Sequence, residues 1–356
     1  MIVDNKTILV TGGTGSLGKV LIRRLLSGGD IGTPKKIIVF SRDEGKQHDM
    51  RVAYLNNKFG TDEIIYKNFS QSLEFRIGDI RSYADVRSAV DDVDIIINAA
   101  ALKQVPTCEY FPKQAIDTNS NGVFNIVRAI NESKSRVETV IGISTDKAAK
   151  PINVMGMTKA LQERIIISGN ITNPNTRSMC VRYGNVIASR GSVIPLFKHQ
   201  IEVGGPLTVT VPEMTRFLLS LNQAVDTIFF ALEHGERGEI VVPNAPSVTV
   251  MNLAKALIED IDIEIKVTGI RPGEKMHEIM VSDEECTMTT AKKNYYAIKP
   301  MLPELFNDDF SQEDIVLKDS SGNPISLKVL NESDFRSSGT QDNSYFLKTD
   351  ISFLFK

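Results

Sequence analysis

The chain has 356 residues, 42% of them hydrophobic, and a formal net charge of −3. That length can bury a large core and suits one large or two modest domains, while the near-balanced charge and a pI near 5.9 give no pull towards nucleic acid or an anionic membrane. Three scattered cysteines (Cys108, Cys180, Cys286) exclude a disulfide framework or a zinc cluster and fit a reducing cytoplasm.

The opening MIVDNKTILVTGG has no basic segment followed by an apolar one, so no signal peptide is expected. It runs straight into a first strand at 7–11. Further β-rich runs follow at 36–41, 73–78, 93–98, 137–144 and 178–183. Amphipathic helical stretches alternate with them at 17–26, 44–58, 83–90, 113–133 and 155–167. Such alternation predicts an α/β doubly wound parallel sheet of the Rossmann type, with ligand at the carboxyl ends of the strands.

Beyond Asn185 the pattern changes. Pro and Gly become frequent, and short strands and helices interleave, as in a smaller C-terminal α/β substrate cap. The expected division is 1–185 for the dinucleotide-binding domain, with some later segments returning to it, and 186–316 for the cap. The apolar stretch 217–232 contains Asn222, Gln223 and Asp226, so it reads as a buried or half-buried helix rather than a membrane span. Residues 317–356 form a Ser-, Asn- and Asp-rich tail ending in apolar residues. It is either a linker with a docking or oligomerisation arm, or disordered.

Three local patterns carry chemistry. The first is Thr11-Gly12-Gly13-Thr14-Gly15-Ser16-Leu17-Gly18, between a strand and a helix. Glycines permit the turn and let a pyrophosphate approach the backbone, and the helix N-terminus supplies N–H donors. The second strand then ends in Ser41-Arg42, with Lys46 a turn later. A guanidinium there suits a 2′-phosphate, which favours NADP, with NAD as the alternative. Asp79 and Ile80 at the third strand end could flank adenine, and Ala99 and Ala100 at the fourth keep the groove floor small.

The second pattern is Ser144-Thr145-Asp146-Lys147 followed by Met155-Gly-Met-Thr-Lys159. A Gly-rich dinucleotide loop raises the expectation of Tyr-x-x-x-Lys, in which Tyr takes a proton from a sugar alcohol. The Lys is present, but the Tyr is Met155, which has no titratable proton. Slow oxidation, Lys147 as substitute base, or a water ordered by Thr145 all remain open. Met155 itself reads as packing, because Met fills irregular gaps. The third pattern, His277-Glu278, is not a metalloprotease site: residue 281 is Val where a second His would stand, and no metal site is expected.

Five segments, SRDEGKQHDMR, AALKQVPTCE, STDKAAKPINVMGMTKA, RYGNVIASRGSVIPLF and GIRPGEKMHEIMVS, resemble the extended short-chain dehydrogenase/reductases. More narrowly they resemble the soluble UDP-N-acetylglucosamine 4,6-dehydratases that also invert C5. The likeness runs from about residue 5 to 300. It implies a lyase of capsule or O-antigen sugar synthesis that makes a UDP-2-acetamido-2,6-dideoxy-4-hexulose. Bound NADP would oxidise C4, water would leave across C5–C6, and the hydride would return to C6.

By the same resemblance Asp146 protonates the leaving hydroxyl and Lys147 removes the C5 proton; sister dehydratases that keep C5 stereochemistry carry Glu at the Lys147 position. Lys147 then needs a lowered pKa, which burial, Lys159 and the nicotinamide charge would give. Lys159 would hold the nicotinamide ribose. Asn185, Val193 and Pro195 would line the uridine pocket, Arg216 and Arg271 would clamp the diphosphate, Glu274 would accept from ribose hydroxyls, and Lys103 would reach the sugar. Helices 113–133 and 155–167 resemble a dimer seam, with a hexamer as a further assembly. Two other functions stay open: a UDP-hexose 4-epimerase, and a non-catalytic nucleotide-sugar-binding regulator.

Overall fold

A computed structural model describes residues 1–29, 31–56, 72–133, 136–187, 192–259, 261–305 and 327–328. Its centre is a nine-stranded sheet. Strands β1 (Thr7–Thr11), β2 (Lys36–Ser41), β3 (Leu73–Ile77), β4 (Ile95–Asn98), β5 (Thr139–Thr145) and β6 (Arg177–Tyr183) run parallel in the order β3-β2-β1-β4-β5-β6. The Ile- and Val-rich strands β1 and β4 are buried on both faces, as a parallel sheet covered by helices requires. Crossover helices include Ser16–Leu26, Glu44–Asn56, Tyr83–Val90 and Gly122–Glu132.

Past β6 come the short β7 (Asn185–Val186), β8 (Leu207–Val209) and β9 (Thr215–Leu219). The chain then returns to the main sheet. Strand β10 (Ile240–Pro243) pairs parallel with β6; β11 (Ser247–Thr249), β12 (Ile265–Val267) and β13 (Ile279–Val281) follow; and β14 (Thr289–Lys292) and β15 (Tyr295–Ile298) finish the sheet antiparallel. Smaller sheets, β11-β9-β7 and β12-β8, enclose a separate apolar cluster around Phe197, Leu218 and Leu253. Strand β16 (Leu327–Lys328), the described part of the tail, pairs with β13.

Two helical expectations change. The run 113–133 is not one regular helix: Pro112–Ile116 and Gly122–Glu132 flank a π-helical turn, Asp117–Asn121. The stretch 217–232 is split, because Phe217–Leu219 finishes β9 and the helix begins at Leu221 with a Ser220–Gln223 capping box. The helix Val154–Thr172 lies tight on β5: a Cβ on Gly142 would come 2.1 Å from Ile166 Cδ1. That packing brings the start of this helix to the tip of β5. Among the described residues no helix is long and apolar enough to cross a membrane.

Candidate functional site

At the carboxyl end of β1, Gly12 adopts φ +67° and its N–H donates to Phe40 O at 2.9 Å. A Cβ there would lie 2.8 Å from the Ala100 backbone, so glycine is required for the loop to touch the end of β4. On Gly18 a Cβ would meet Gly13 O at 2.5 Å. Thr11 Oγ1 donates to Asn98 Oδ1 at 2.6 Å, joining the two strand tips. Thr14 is buried in the loop, and Ala99 and Ala100 are half-buried beside it. Gly15 caps the helix Ser16–Leu26 and provides no side-chain acceptor. The first-turn N–H groups at Ser16, Leu17 and Gly18 therefore suit an anion, and the loop fits a dinucleotide pyrophosphate.

The ribose-reading tip is more divided than the sequence implied. Gln47 Nε2 donates to Ser41 O and Oγ, and Lys46 pairs with Asp43. That pairing holds the Asp43 carboxyl below its ordinary range. Arg42 is 58% exposed and makes a loose 3.9 Å contact with Asp79, which Arg81 grips at 2.6 Å. Ile80 is buried in one cluster with Phe40 and lies under Gly122, where a Cβ would come within 2.9 Å of it.

The acid–base end forms where β5 stops. Asp146 opens a 3-10 turn and is fully buried. Its Oδ1 accepts from Thr145 Oγ1 at 2.8 Å and from Lys147 Nζ at 3.0 Å, while Oδ2 has no hydrogen-bond partner. Lys147 Nζ also donates to Asn185 Oδ1 at 3.2 Å and lies 3.2 Å from Glu278 Oε1. Asn185, expected in the uridine pocket, thus joins the acid–base cluster because β7 starts two residues after β6 ends. The expected fall in the Lys147 pKa is overturned. Burial alone would lower it, but Asp146 and Glu278 outweigh burial and the opposing Arg216, and hold the amine above its ordinary range.

Lys159 behaves oppositely. It donates to Ile143 O and Gln162 Oε1, each at 2.8 Å, and burial lowers its pKa to about 8. Met155, one turn earlier, is buried against Cys108 and Ala115 and is packing in this structure. The intervening Gly156 abuts the Asp146–Ala148 turn, since a Cβ there would meet Lys147 O at 2.3 Å.

A strap, residues 271–278, crosses this turn. Asn153 Nδ2 donates to Gly273 O at 2.8 Å, and Lys275 Nζ donates to Ala149 O at 2.7 Å. Arg271 on the strap is 59% exposed, 3.9 Å from Glu274 Oε1, and Glu274 Oε2 is buried without a partner. Arg216 is buried on β9 and donates to Thr215 O at 2.7 Å and Met276 O at 3.3 Å. The two arginines thus differ: one is solvated, the other is tied to backbone beside Lys147. Val193 and Pro195 lie half-buried in the first turn of the helix Val193–Glu202, while 189–191 fall outside the described residues. Lys103 is exposed between β4 and the helix Val105–Tyr110.

Glu278 and Gln162 escaped sequence reasoning. Glu278 was weighed only against a metal motif, although the apolar Ile279–Val281 beside it signals a buried strand. Among the described residues no group of three or more His, Cys, Asp or Glu is placed to hold a metal.

The profile of the family described as polysaccharide biosynthesis protein matches residues 8–300. The chain is 48% identical over 302 residues to a protein named UDP-glucose 4-epimerase from Rickettsia conorii (strain ATCC VR-613 / Malish 7), covering 84% of each. It is 47% identical to a protein of the same name from Rickettsia massiliae (strain Mtu5), again over 84% of each. Among solved structures it is similar to Pen from Bacillus thuringiensis, at 30% identity and a TM-score of 0.78, covering 95% of this chain and 99% of that one. DesIV, a dTDP-glucose 4,6-dehydratase from Streptomyces venezuelae with NAD and TYD bound, shares the fold at 21% identity and a TM-score of 0.64, over 76% of this chain and 86% of that one.

Proposed function

We infer the activity from the family: the chain belongs to the polysaccharide biosynthesis protein family, and is an enzyme of the nucleotide-sugar epimerases and dehydratases with the extended short-chain dehydrogenase/reductase fold. Within it we propose a UDP-N-acetylglucosamine 4,6-dehydratase that inverts C5 and uses NADP. The observation that carries this is the pair of fully buried Asp146 and half-buried Lys147, 3.0 Å apart at the tip of β5. Burying such charges is costly and packing has no need of them. A 4-epimerase, which oxidises and reduces C4, has no use for an acid near C6 and a base near C5.

The pair can supply both groups in one move. A proton passing from Lys147 Nζ to Asp146 Oδ1 breaks an N–H bond, leaves the lone pair on nitrogen and makes Asp146 the acid. Lys147 then takes the C5 proton, which a 4-keto group acidifies, and Asp146 protonates the leaving 6-hydroxyl. A dinucleotide held by the Gly-rich loop would supply hydride acceptance at C4 and its return to C6, the C4 hydroxyl proton leaving through a water ordered by Thr145. The Gly12–Gly18 loop and the uncapped helix fit its pyrophosphate, and Arg42 is the group at hand for a 2′-phosphate. Glu274 Oε2, buried and unpartnered, would accept from the uridine ribose, and Arg271 would meet the diphosphate.

The name shared by the Rickettsia relatives supports a second function, 4-epimerisation of a UDP-hexose. One experiment separates the two. The purified chain is incubated in deuterium oxide with UDP-N-acetylglucosamine or UDP-glucose and followed by NMR. The dehydratase gives a 4-keto-6-deoxy sugar with deuterium at C5. A C4 epimer with no exchange at C5 would replace the first reading by the second.

A further inference from the structure

Three oxygens lie close to Lys147 Nζ. Asp146 Oδ1 lies at 3.0 Å, Asn185 Oδ1 at 3.2 Å and Glu278 Oε1 at 3.2 Å from Nζ. Nζ donates hydrogen bonds to the first two and forms an ion pair with the third, so two hydrogen bonds and a carboxylate charge hold the amine. Glu278 comes from a distant part of the chain, next to β13, and its side chain is 3% exposed. Its second oxygen has no hydrogen-bond partner, with Lys275 Nζ at 3.9 Å on that side. Nothing in apolar packing calls for a carboxylate at this position.

We propose that Glu278 is a positioning residue for Lys147: its carboxylate closes a cage of three oxygens, pairing by charge with the amine that Asp146 and Asn185 hydrogen-bond, and sets the pH at which Lys147 can act as a base. This rests on the proposed function: with a proton shift from Lys147 to Asp146, the Glu278 carboxylate determines how hard that shift is. After the C5 proton is taken, the same cage receives the ammonium and keeps it as the proton source for C5. The charged groups facing Lys147 are Asp146 in its own turn, Glu278 and Lys275 on the strap, and Arg216 on β9. The net effect of these neighbours is a raised Lys147 pKa, in the direction the cage demands.

The test uses two readouts on the full chain. One is trace acetylation of amines across pH, with the Lys147 peptide followed by mass spectrometry; it needs neither substrate nor turnover. The other is the pH profile of C5 deuterium incorporation with UDP-N-acetylglucosamine. In Glu278→Gln the amide oxygen can still accept, but the charge is gone. Acetylation of Lys147 at pH 8 should rise about tenfold, and the rising limb of the C5 profile should move to lower pH. Glu278→Asp, which keeps the charge, should lose rate but leave the limb where the wild type has it. A merely structural role would lower the rate without moving the limb. Unchanged Lys147 acetylation in Glu278→Gln overturns the proposal. If that variant does not fold, Glu278→Gln/Lys275→Met, which preserves the net charge of the cluster, should raise acetylation in the same direction but by less, because loss of the Lys275 charge opposes loss of the Glu278 charge. A wild type that never exchanges C5 sinks the dehydratase reading instead, and acetylation still decides the role of Glu278.

Discussion

Arg182→Met tests how the tip of β5 is held in place. Arg182 is fully buried, and its guanidinium uses all five donors. Nε and Nη2 donate to Glu163 at 3.0 and 2.8 Å, Nη1 and Nη2 to Glu285 at 2.7 and 2.8 Å, and Nη1 to Met280 O at 2.8 Å. Met fills much of the space but leaves two buried carboxylates without a cation. Breaking a buried pair of this kind costs about 3–5 kcal/mol. At roughly 0.7 kcal/mol per kelvin of unfolding entropy for a chain of this length, the apo melting temperature should fall by about 4–7 °C.

The loss should also depend on pH. Burial tends to raise the Glu285 pKa, but Arg182 prevails and the carboxyl sits below its ordinary value. A depressed folded pKa gives stability that is present above the unfolded pKa and lost as pH falls through the folded one. The gap between wild type and Arg182→Met should therefore narrow in acid. Arg182→Met/Glu163→Gln/Glu285→Gln, which removes the stranded charges, should recover at least half of the loss. Differential scanning calorimetry across pH reads all three. A loss below about 1 kcal/mol at neutral pH would refute the claim that this triad ties β13 and the helix Val154–Thr172 to the sheet.

Lys147→Ala should abolish C5 exchange and product while leaving both ligands bound, whereas Asp146→Asn, in which the amine loses its proton to solvent once the neighbouring carboxylate that holds it is gone, should keep C5 exchange and lose elimination; NMR in deuterium oxide separates them, and wild-type exchange in Lys147→Ala would remove Lys147 as the base. Arg42→Ala should weaken NADP by about tenfold or more and NAD hardly at all, as titration of both oxidised cofactors would reveal; equal losses would end the 2′-phosphate assignment. The helix Val154–Thr172 exposes Met157 and Leu161 by about half, and Phe124 is exposed on the neighbouring helix Gly122–Glu132. Leu161→Arg should shift the chain to a smaller species in light scattering at matched concentration, and an unchanged mass would place any self-association elsewhere.

The parallel core was legible because its signals are local. Runs such as Ile8 to Val10 and Ile95 to Ile97 have a composition that fits buried strands, and the glycines at 12, 15 and 18 carry their own geometric reason. Asp146 and Lys147 were legible as a pair because they are adjacent in sequence. What remained hidden depends on contacts across the chain. The three-dimensional neighbours of Lys147 lie 38 and 131 residues away, at Asn185 and Glu278. No periodicity reports that two carboxylates converge on one amine, so its pKa was expected to fall where it rises. The π turn at Asp117–Asn121 was missed for a similar reason: its sequence is polar and helix-compatible, and Gly122 beside it is explained by close packing on Ile80.

These placements bear on what the second half of the chain is for. Lys147 takes its hydrogen-bond and ion-pair partners from residues 146, 185 and 278, and Arg182 takes its partners from 163, 280 and 285. Both sets cross from the parallel sheet into the segment around β13. The strap that would contact a nucleotide through Arg271 and Glu274 is the same strap that carries Lys275 onto Ala149 O and Glu278 onto Lys147. A shift of the strap on meeting a diphosphate would therefore change the distance between Glu278 and Lys147, and the electrostatic pull on the amine varies inversely with that distance. On the proposed roles nucleotide binding would be joined to the readiness of Lys147, so UDP alone should alter the acetylation of Lys147 in the wild type and have less effect once Glu278 is Gln.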